Sequence, residues 1–163
     1  MGDASNGIEY EHKIAPQDDL VQTVLDRWIG TPYRPNMRVR GVGTDCRMFV
    51  ACVHDTLEDL YHEIPPVPPD IGQHSVRGAA RSLKAMVDAF DARSITHERA
   101  VMSGDVLALY IGPCTTPVHI GIVSAYRGVM YHAHHNHGVC RASMADARIA
   151  AVYRTARSHQ WRS

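Results

Sequence analysis

A thiol, a pair of imidazoles and a glycine-rich turn carry the chemical interest of this chain. Gly41-Val42-Gly43-Thr44-Asp45-Cys46 leads directly into Arg47-Met48-Phe49-Val50, the start of an apolar run with helical spacing. Such a turn delivers Cys46 to a helix N-terminus, where unpaired N–H groups and the positive end of the macrodipole favour the thiolate. The expectation is a nucleophilic cysteine with a lowered pKa. Two later segments, Val118-His119-Ile120-Gly121-Ile122-Val123 and Val129-Met130-Tyr131-His132-Ala133, are strand-like, and each carries a histidine. Neighbouring strands lie about 4.8 Å apart, so two histidines on one face of a hairpin can hydrogen-bond side by side. A thiol, an imidazole to take its proton and a further polar group to hold that imidazole in the correct tautomer together make a Cys–His hydrolase. His134 has the same strand parity as His132, so either can be the orienting group.

The elements that must position these groups follow from hydrophobic periodicity. Asp18 or Asp19 offers an N-cap for a first helix, with Leu20, Val24, Leu25 and Trp28 as its apolar stripe and Gly30 and Pro32 as its end. Thr31 to Thr44, with Pro32, Pro35, Gly41 and Gly43, reads as a loop with extended pieces. From Cys46 to about Tyr61, Phe49, Val50, Val53, Leu57 and Leu60 keep helical spacing and predict a central helix. Pro65, Pro66, Pro68 and Pro69 forbid its continuation and mark an exposed connection. A further helix over Val76 to Phe90 presents Ala79, Ala80, Leu83, Val87 and Phe90 to the sheet or the cleft. After Ser103-Gly104-Asp105 the period shortens to that of strands: Val106 to Ile111, Val118 to Ala125, Val129 to Ala133, Gly138 to Ala142 and Ala150 to Arg154. Helices followed by an antiparallel sheet define the α+β class.

Composition bounds the function. A chain of 163 residues with 45% hydrophobic and 21% charged side chains is long enough for one core. Seventeen basic and seventeen acidic residues leave a formal net charge of zero, which speaks against a general nucleic-acid or anionic-membrane partner. Eleven histidines are unusual, and five of them fall between His119 and His137. The polar, acidic start from Met1 to Glu11 has no signal-peptide pattern, and no apolar run is long enough to span a bilayer. The expectation is synthesis in the cytoplasm without an export signal. Cys46, Cys52, Cys114 and Cys140 form no CxxC pair and read as thiols. Cys52 and Cys140 read as packing residues, Cys52 lying about 240° round the helix from Cys46. Residues 1–16 read as an N-terminal arm, 17–156 as the domain and 157–163 as a C-terminal tail.

Trp28-Ile29-Gly30-Thr31-Pro32-Tyr33, Gly43-Thr44-Asp45-Cys46, Gly104-Asp105-Val106, His119-Ile120-Gly121-Ile122-Val123 and His132-Ala133 occur in this order. Over roughly Leu20 to Arg154 the chain thereby resembles the NlpC family of papain-like cell-wall cysteine peptidases. The resemblance implies a papain-like fold, with the nucleophile at the start of a central helix packed on a C-terminal antiparallel sheet. It implies Cys46 as nucleophile, His119 as base, His132 as the group that orients it, and Tyr33 as a contributor to oxyanion stabilisation. It implies no cofactor and, as substrate, peptidoglycan stem peptides, commonly at the γ-D-glutamyl to diaminopimelate bond. The Asp-Cys-x-x-Phe-Val form, the Trp-Ile-Gly-Thr-Pro-Tyr start and the missing signal also resemble NlpC-type proteins encoded among phage tail and gene-transfer-agent genes. A virion or tail particle would then carry this thiol protease to the wall, with the N-terminal arm docking on other tail proteins.

The departure from the family pattern is Arg47-Met48, where Ser-Gly or Leu-Gly is usual. Met48 is expected to crowd the site; Arg47 is expected to lower the thiol pKa or to bind a substrate carboxylate. A chain whose cleft is vestigial, serving as a structural component of a tail tip or hub, is the competing non-enzymatic reading. A catalytic metal is the other competitor: His132-Ala133-His134-His135-Asn136-His137 imitates a metal-binding run, with His132, His134 and His137 as ligands and Cys140 as a further donor. Only His159 follows among later histidines, which leaves that ligand set short.

Overall fold

The computed structural model describes residues 18–58, 76–90, 93–95 and 101–155. The expected arm, tail and proline-rich connection lie outside them, as does Leu60. Helix α1 spans Asp18–Asp26, the two-residue strands β1 and β2 span Arg38–Val39 and Gly43–Thr44, and α2 spans Cys46–Glu58. Helix α3 covers Val76–Ala89 and β3 Arg93–Ile95. The remaining strands are β4, Val106–Tyr110, β5, His119–Val123, β6, Val129–His134, β7, Gly138–Ser143, and β8, Arg148–Arg154. Strands β3 to β8 form one sheet in the order β3-β8-β4-β5-β6-β7, with every neighbouring pair antiparallel. The expected α+β class is the one observed.

Helix α2 is the hub. Phe49, Val50 and Val53 are fully buried and Leu57 nearly so, on a helix that packs on α1, α3, β5 and β6. Burying each such side chain is worth about 1.5–3 kcal/mol, which fixes the helix against the sheet. From the sheet, Val106, Ala108, Ile120, Ile122, Tyr131 and Ala133 meet it. The alternate residues Leu107, Leu109, Val123, Met130 and Val152 form a smaller cluster on the other face. Period-two alternation thus divides β4, β5 and β6 between two apolar layers. Trp28 closes the helix side against Phe49, ring centroids 5.9 Å apart at 67°.

The α1 stripe differs from expectation. Leu20 is exposed, and Val21 takes its place beside Val24 and Leu25 in the core. Both residues satisfy a helical spacing, and the orientation of α1 against α2 decides between them. The β1–β2 hairpin and β3 are further additions to the expected strands, and β8 begins at Arg148 rather than Ala150.

Candidate active site

Cys46 stands at the first turn of α2 because Asp45 caps the helix. Asp45 Oδ1 accepts from the amides of Arg47 at 3.0 Å and Met48 at 2.9 Å, and its carbonyl takes the first helical bond, from Phe49, at 2.9 Å. The preceding loop is held to the same point. Arg34 N–H donates to the Thr44 carbonyl at 2.8 Å, Thr44 N–H to that of Pro32 at 3.0 Å, and Tyr33 bridges Thr44 in parallel. Asn36 adopts a left-handed φ of 57°, and its amide donates to Asp45 Oδ2 at 2.7 Å.

At the other end this loop is stitched to the β6–β7 turn. Gly30 N–H donates to the Val139 carbonyl and Val139 N–H to that of Thr31, each at 2.9 Å. Gly138 makes the approach feasible: its φ is +68°, and a Cβ there would stand 2.3 Å from the Thr31 carbonyl oxygen. The Trp28-to-Tyr33 segment therefore connects the thiol's helix with the strands that carry the histidines.

His119 opens β5 and His132 lies near the end of β6. The register pairs Ile122 with Tyr131, so both imidazoles belong to the alternate positions shared with Gly121. His119 Nε2 and His132 Nδ1 are 2.8 Å apart. Between them Gly121 lets β5 approach β6 closely, since a Cβ on it would lie 3.1 Å from the Tyr131 carbonyl oxygen. Between the expected alternatives, the partner of His119 is His132. His134 instead meets His132 edge-on at 5.7 Å and stacks with His135 at 4.5 Å and His137 at 4.8 Å.

Cys46, Asp45 and Arg47 of α2, Tyr33 of the loop, Val118, His119 and Ile120 around the start of β5, and Ala79, Ser82 and Leu83 of α3 line one cleft. It encloses about 500 Å³ including its open mouth. Helix α3 thus does reach the cleft. Met48 does not crowd it: the side chain is buried in the core beside Phe49 and Val50. Arg47 is also buried, turned back so that one guanidinium nitrogen lies 2.9 Å from Asn36 Oδ1 and 3.3 Å from Asp45 Oδ2.

The electrostatics run against the expected thiolate. Burial first, then the Asp45 carboxylate, push the Cys46 thiol up to about 12, although Arg47 and the backbone amides of Ile120 and Arg47 pull it down. Burial outweighs the helix terminus because a thiolate half-buried on the cleft wall loses more hydration than the dipole returns. Tyr33 is likewise raised, by burial and then by the nearby thiol and Asp45. His119 falls to about 3, through burial and then the other imidazoles, His132 first; His132 falls to about 4, through burial and then His134 and His137. At neutral pH the site holds a thiol and neutral imidazoles. The expected lowering of the thiol pKa is corrected in sign, while the downward pull of Arg47 is present within the balance.

Among the described residues no three His, Cys, Asp or Glu side chains stand together so as to hold a metal ion. Of the expected ligand set, His134 meets His132 edge-on and stacks with His137. Gly104-Asp105 has a structural setting: fully buried His54 shares a 3.1 Å hydrogen bond with the Gly104 carbonyl, and fully buried Asp105 pairs with Arg154 at 2.7 Å. Sequence reasoning missed Asn36 and Ser82. Pro35-Asn36 is a turn signal that suits a left-handed asparagine; nothing in the pattern around Ser82 marks it.

No family model and no curated protein matches the chain. Solved structures do. The chain is similar to the NlpC/p60 domain of the peptidoglycan hydrolase SagA, with a TM-score of 0.56 and 18% identity over 85% of this chain and 98% of that one. It is similar to NlpC2 from Trichomonas vaginalis, with a TM-score of 0.58 and 12% identity over 90% of this chain and 49% of that one. A Staphylococcus aureus protein of the NLP/P60 family, similar to lipoprotein, aligns with a TM-score of 0.54 and 18% identity over 94% of this chain and 45% of that one. The chain spans about half the length of the Trichomonas vaginalis and Staphylococcus aureus chains. The fold is the papain-like α+β fold of NlpC/p60 domains.

Proposed function

We propose that this chain belongs to the NlpC family and is a cysteine peptidase that hydrolyses peptide bonds in peptidoglycan stem peptides. The observation that carries the reading is the His119 Nε2 to His132 Nδ1 bond of 2.8 Å, with His119 and Cys46 lining the same cleft. For His119 to act as base its Nδ1 must be free of hydrogen, so Nε2 carries the hydrogen and donates it to His132 Nδ1. His132 then fixes the tautomer, and the thiol proton passes to His119 Nδ1 as sulfur attacks the scissile carbonyl. Protonated His119 returns that proton to the leaving amine; water hydrolyses the resulting thioester.

The starting pair is neutral, so proton transfer accompanies attack instead of preceding it. Oxyanion stabilisation falls to Tyr33, which lines the same cleft, and to the Cys46 amide, the one at the start of α2 that the Asp45 cap does not occupy. Arg47 acts on the site through Asp45 and the thiol, its guanidinium being held by Asn36 and Asp45. The finer parts of the reading are the γ-D-glutamyl to diaminopimelate bond as target and a phage tail or gene-transfer particle as carrier, with residues 1–16 docking on its other proteins. These rest on the order and form of the sequence motifs, and recovery of the chain in purified phage or gene-transfer particles tests the carrier.

The experiment for the activity is digestion of purified peptidoglycan by wild type and by Cys46→Ala, with and without a chelator, read by mass spectrometry of the released fragments. Chelator-resistant release by wild type alone is the expected result, and the fragment masses identify the bond. No release from either protein overturns the reading in favour of a structural tail component. Chelator-sensitive release that survives Cys46→Ala assigns the chemistry to the histidine cluster.

A further inference from the structure

The chemistry above uses α2, β5 and β6, yet α3 forms part of the cleft. Its contribution there is Ala79, Ser82 and Leu83, of which only Ser82 offers a polar side-chain atom. Ser82 is 8% exposed, and among the described residues its hydroxyl has no hydrogen-bond partner. A buried hydroxyl is ordinarily matched, and a serine inside a helix can match itself to a carbonyl one turn back. An unmatched one facing a cleft, on an otherwise apolar wall, has the form of a group whose partner arrives with a ligand.

From this we infer that Ser82 is a substrate-positioning residue, whose hydroxyl hydrogen-bonds a main-chain amide of the bound peptide beside the scissile bond. The assignment rests on the reading of the cleft as a peptidase site. The apolar neighbours Ala79 and Leu83 exclude water from that bond and leave the hydroxyl to set the register of the peptide along α3. Ser82 remains bonded to the peptide in the ground state and in the transition state, so its contribution is to binding and to kcat/KM rather than to the chemical step.

The test uses the full chain as wild type, Ser82→Ala, Ser82→Cys and Cys46→Ala. Each is assayed under reducing conditions on a synthetic stem tetrapeptide containing the γ-D-glutamyl to diaminopimelate bond and on whole peptidoglycan, with thermal unfolding measured alongside. Both Ser82 variants are expected to raise KM roughly three- to tenfold, the worth of one neutral hydrogen bond. Their kcat should stay within about twofold of wild type, which is the signature of uniform binding. The unfolding midpoint of Ser82→Ala should hold or rise, because no internal partner is orphaned. An unchanged KM in an active protein overturns the assignment and leaves the peptidase reading standing. A lowered midpoint with a matching loss of active protein also overturns it, by making Ser82 structural. Wild type no more active than Cys46→Ala on either substrate removes the peptidase reading, and the assignment with it.

Discussion

At Cys46 two local rules conflict, and their magnitudes decide the outcome. The helix terminus offers about 0.3–1 kcal/mol to a negative charge at an exposed site, whereas burial shifts a thiol by several pKa units at about 1.36 kcal/mol each. Burial wins, and the thiol rises to about 12. The consequence is measurable without any substrate. Iodoacetamide should alkylate Cys46 at pH 7.5 about tenfold or more slowly than it alkylates the same residue in the unfolded chain, with the rate climbing as pH rises, as peptide mapping reports. Arg47 acts in the opposite direction to Asp45, so Arg47→Met removes the cation and leaves the carboxylate. That variant should lower the Cys46 alkylation rate by about a further tenfold at a given pH, the effect of losing one adjacent charge. An unchanged rate would show that Asn36 and Asp45 hold Arg47 for structure alone. The residue type at 47 is plain in the sequence, but its inward turn is not, because it depends on Asn36 adopting a left-handed φ eleven positions earlier.

Individual elements were legible in proportion to their length. Helix α2 has enough turns for its period to declare itself, and β4 to β8 alternate long enough to be found. The two-residue strands β1 and β2 are too short for any period, and β3 exists as a strand because β8 pairs with it from the far end of the chain, Arg93 against Arg154. Strand parity placed His119 and His132 on one face, whereas Ser82 was invisible, since only the packing of α3 decides which of its polar residues meets the cleft. The motif Trp28 to Tyr33 and the turn at Gly138 were each legible in the sequence, but the contact between them was not, because it joins segments more than a hundred residues apart. Gly138 lets the β6–β7 turn touch Thr31 and so ties the Tyr33 loop to the histidine strands. Gly138→Ala adds a strained left-handed alanine and a Cβ with no room against backbone. It should cost about 2–4 kcal/mol of stability, read by urea unfolding. A loss below about 0.5 kcal/mol would mean that the turn and the loop separate easily and that the stitch does not hold the site.

Across the whole molecule the same burial that keeps the imidazoles neutral makes folding sensitive to acid. His119 titrates at about 3 and His132 at about 4 in the folded chain, against about 6.5 when exposed. His134 is lowered as well, by its burial and its neighbours His135 and His137. Between those values the unfolded chain binds protons that the native chain refuses, so stability is complete above about pH 6.5 and falls steadily as pH drops toward 3. Asp26 is also lowered, held by Tyr131, Gln22 and Arg141 against its own burial, and its contribution has the same sign but begins only below its ordinary value of 3.8. The window from pH 7 to pH 5 therefore isolates the histidines from this carboxylate. Thermal midpoints should fall by several degrees over that window in wild type, and by clearly less in a His119→Gln, His132→Gln double variant, which presents no imidazole at those two positions. Equal slopes in the two proteins would place the acid sensitivity elsewhere and would remove the link between imidazoles kept unprotonated and a fold that resists their protonation.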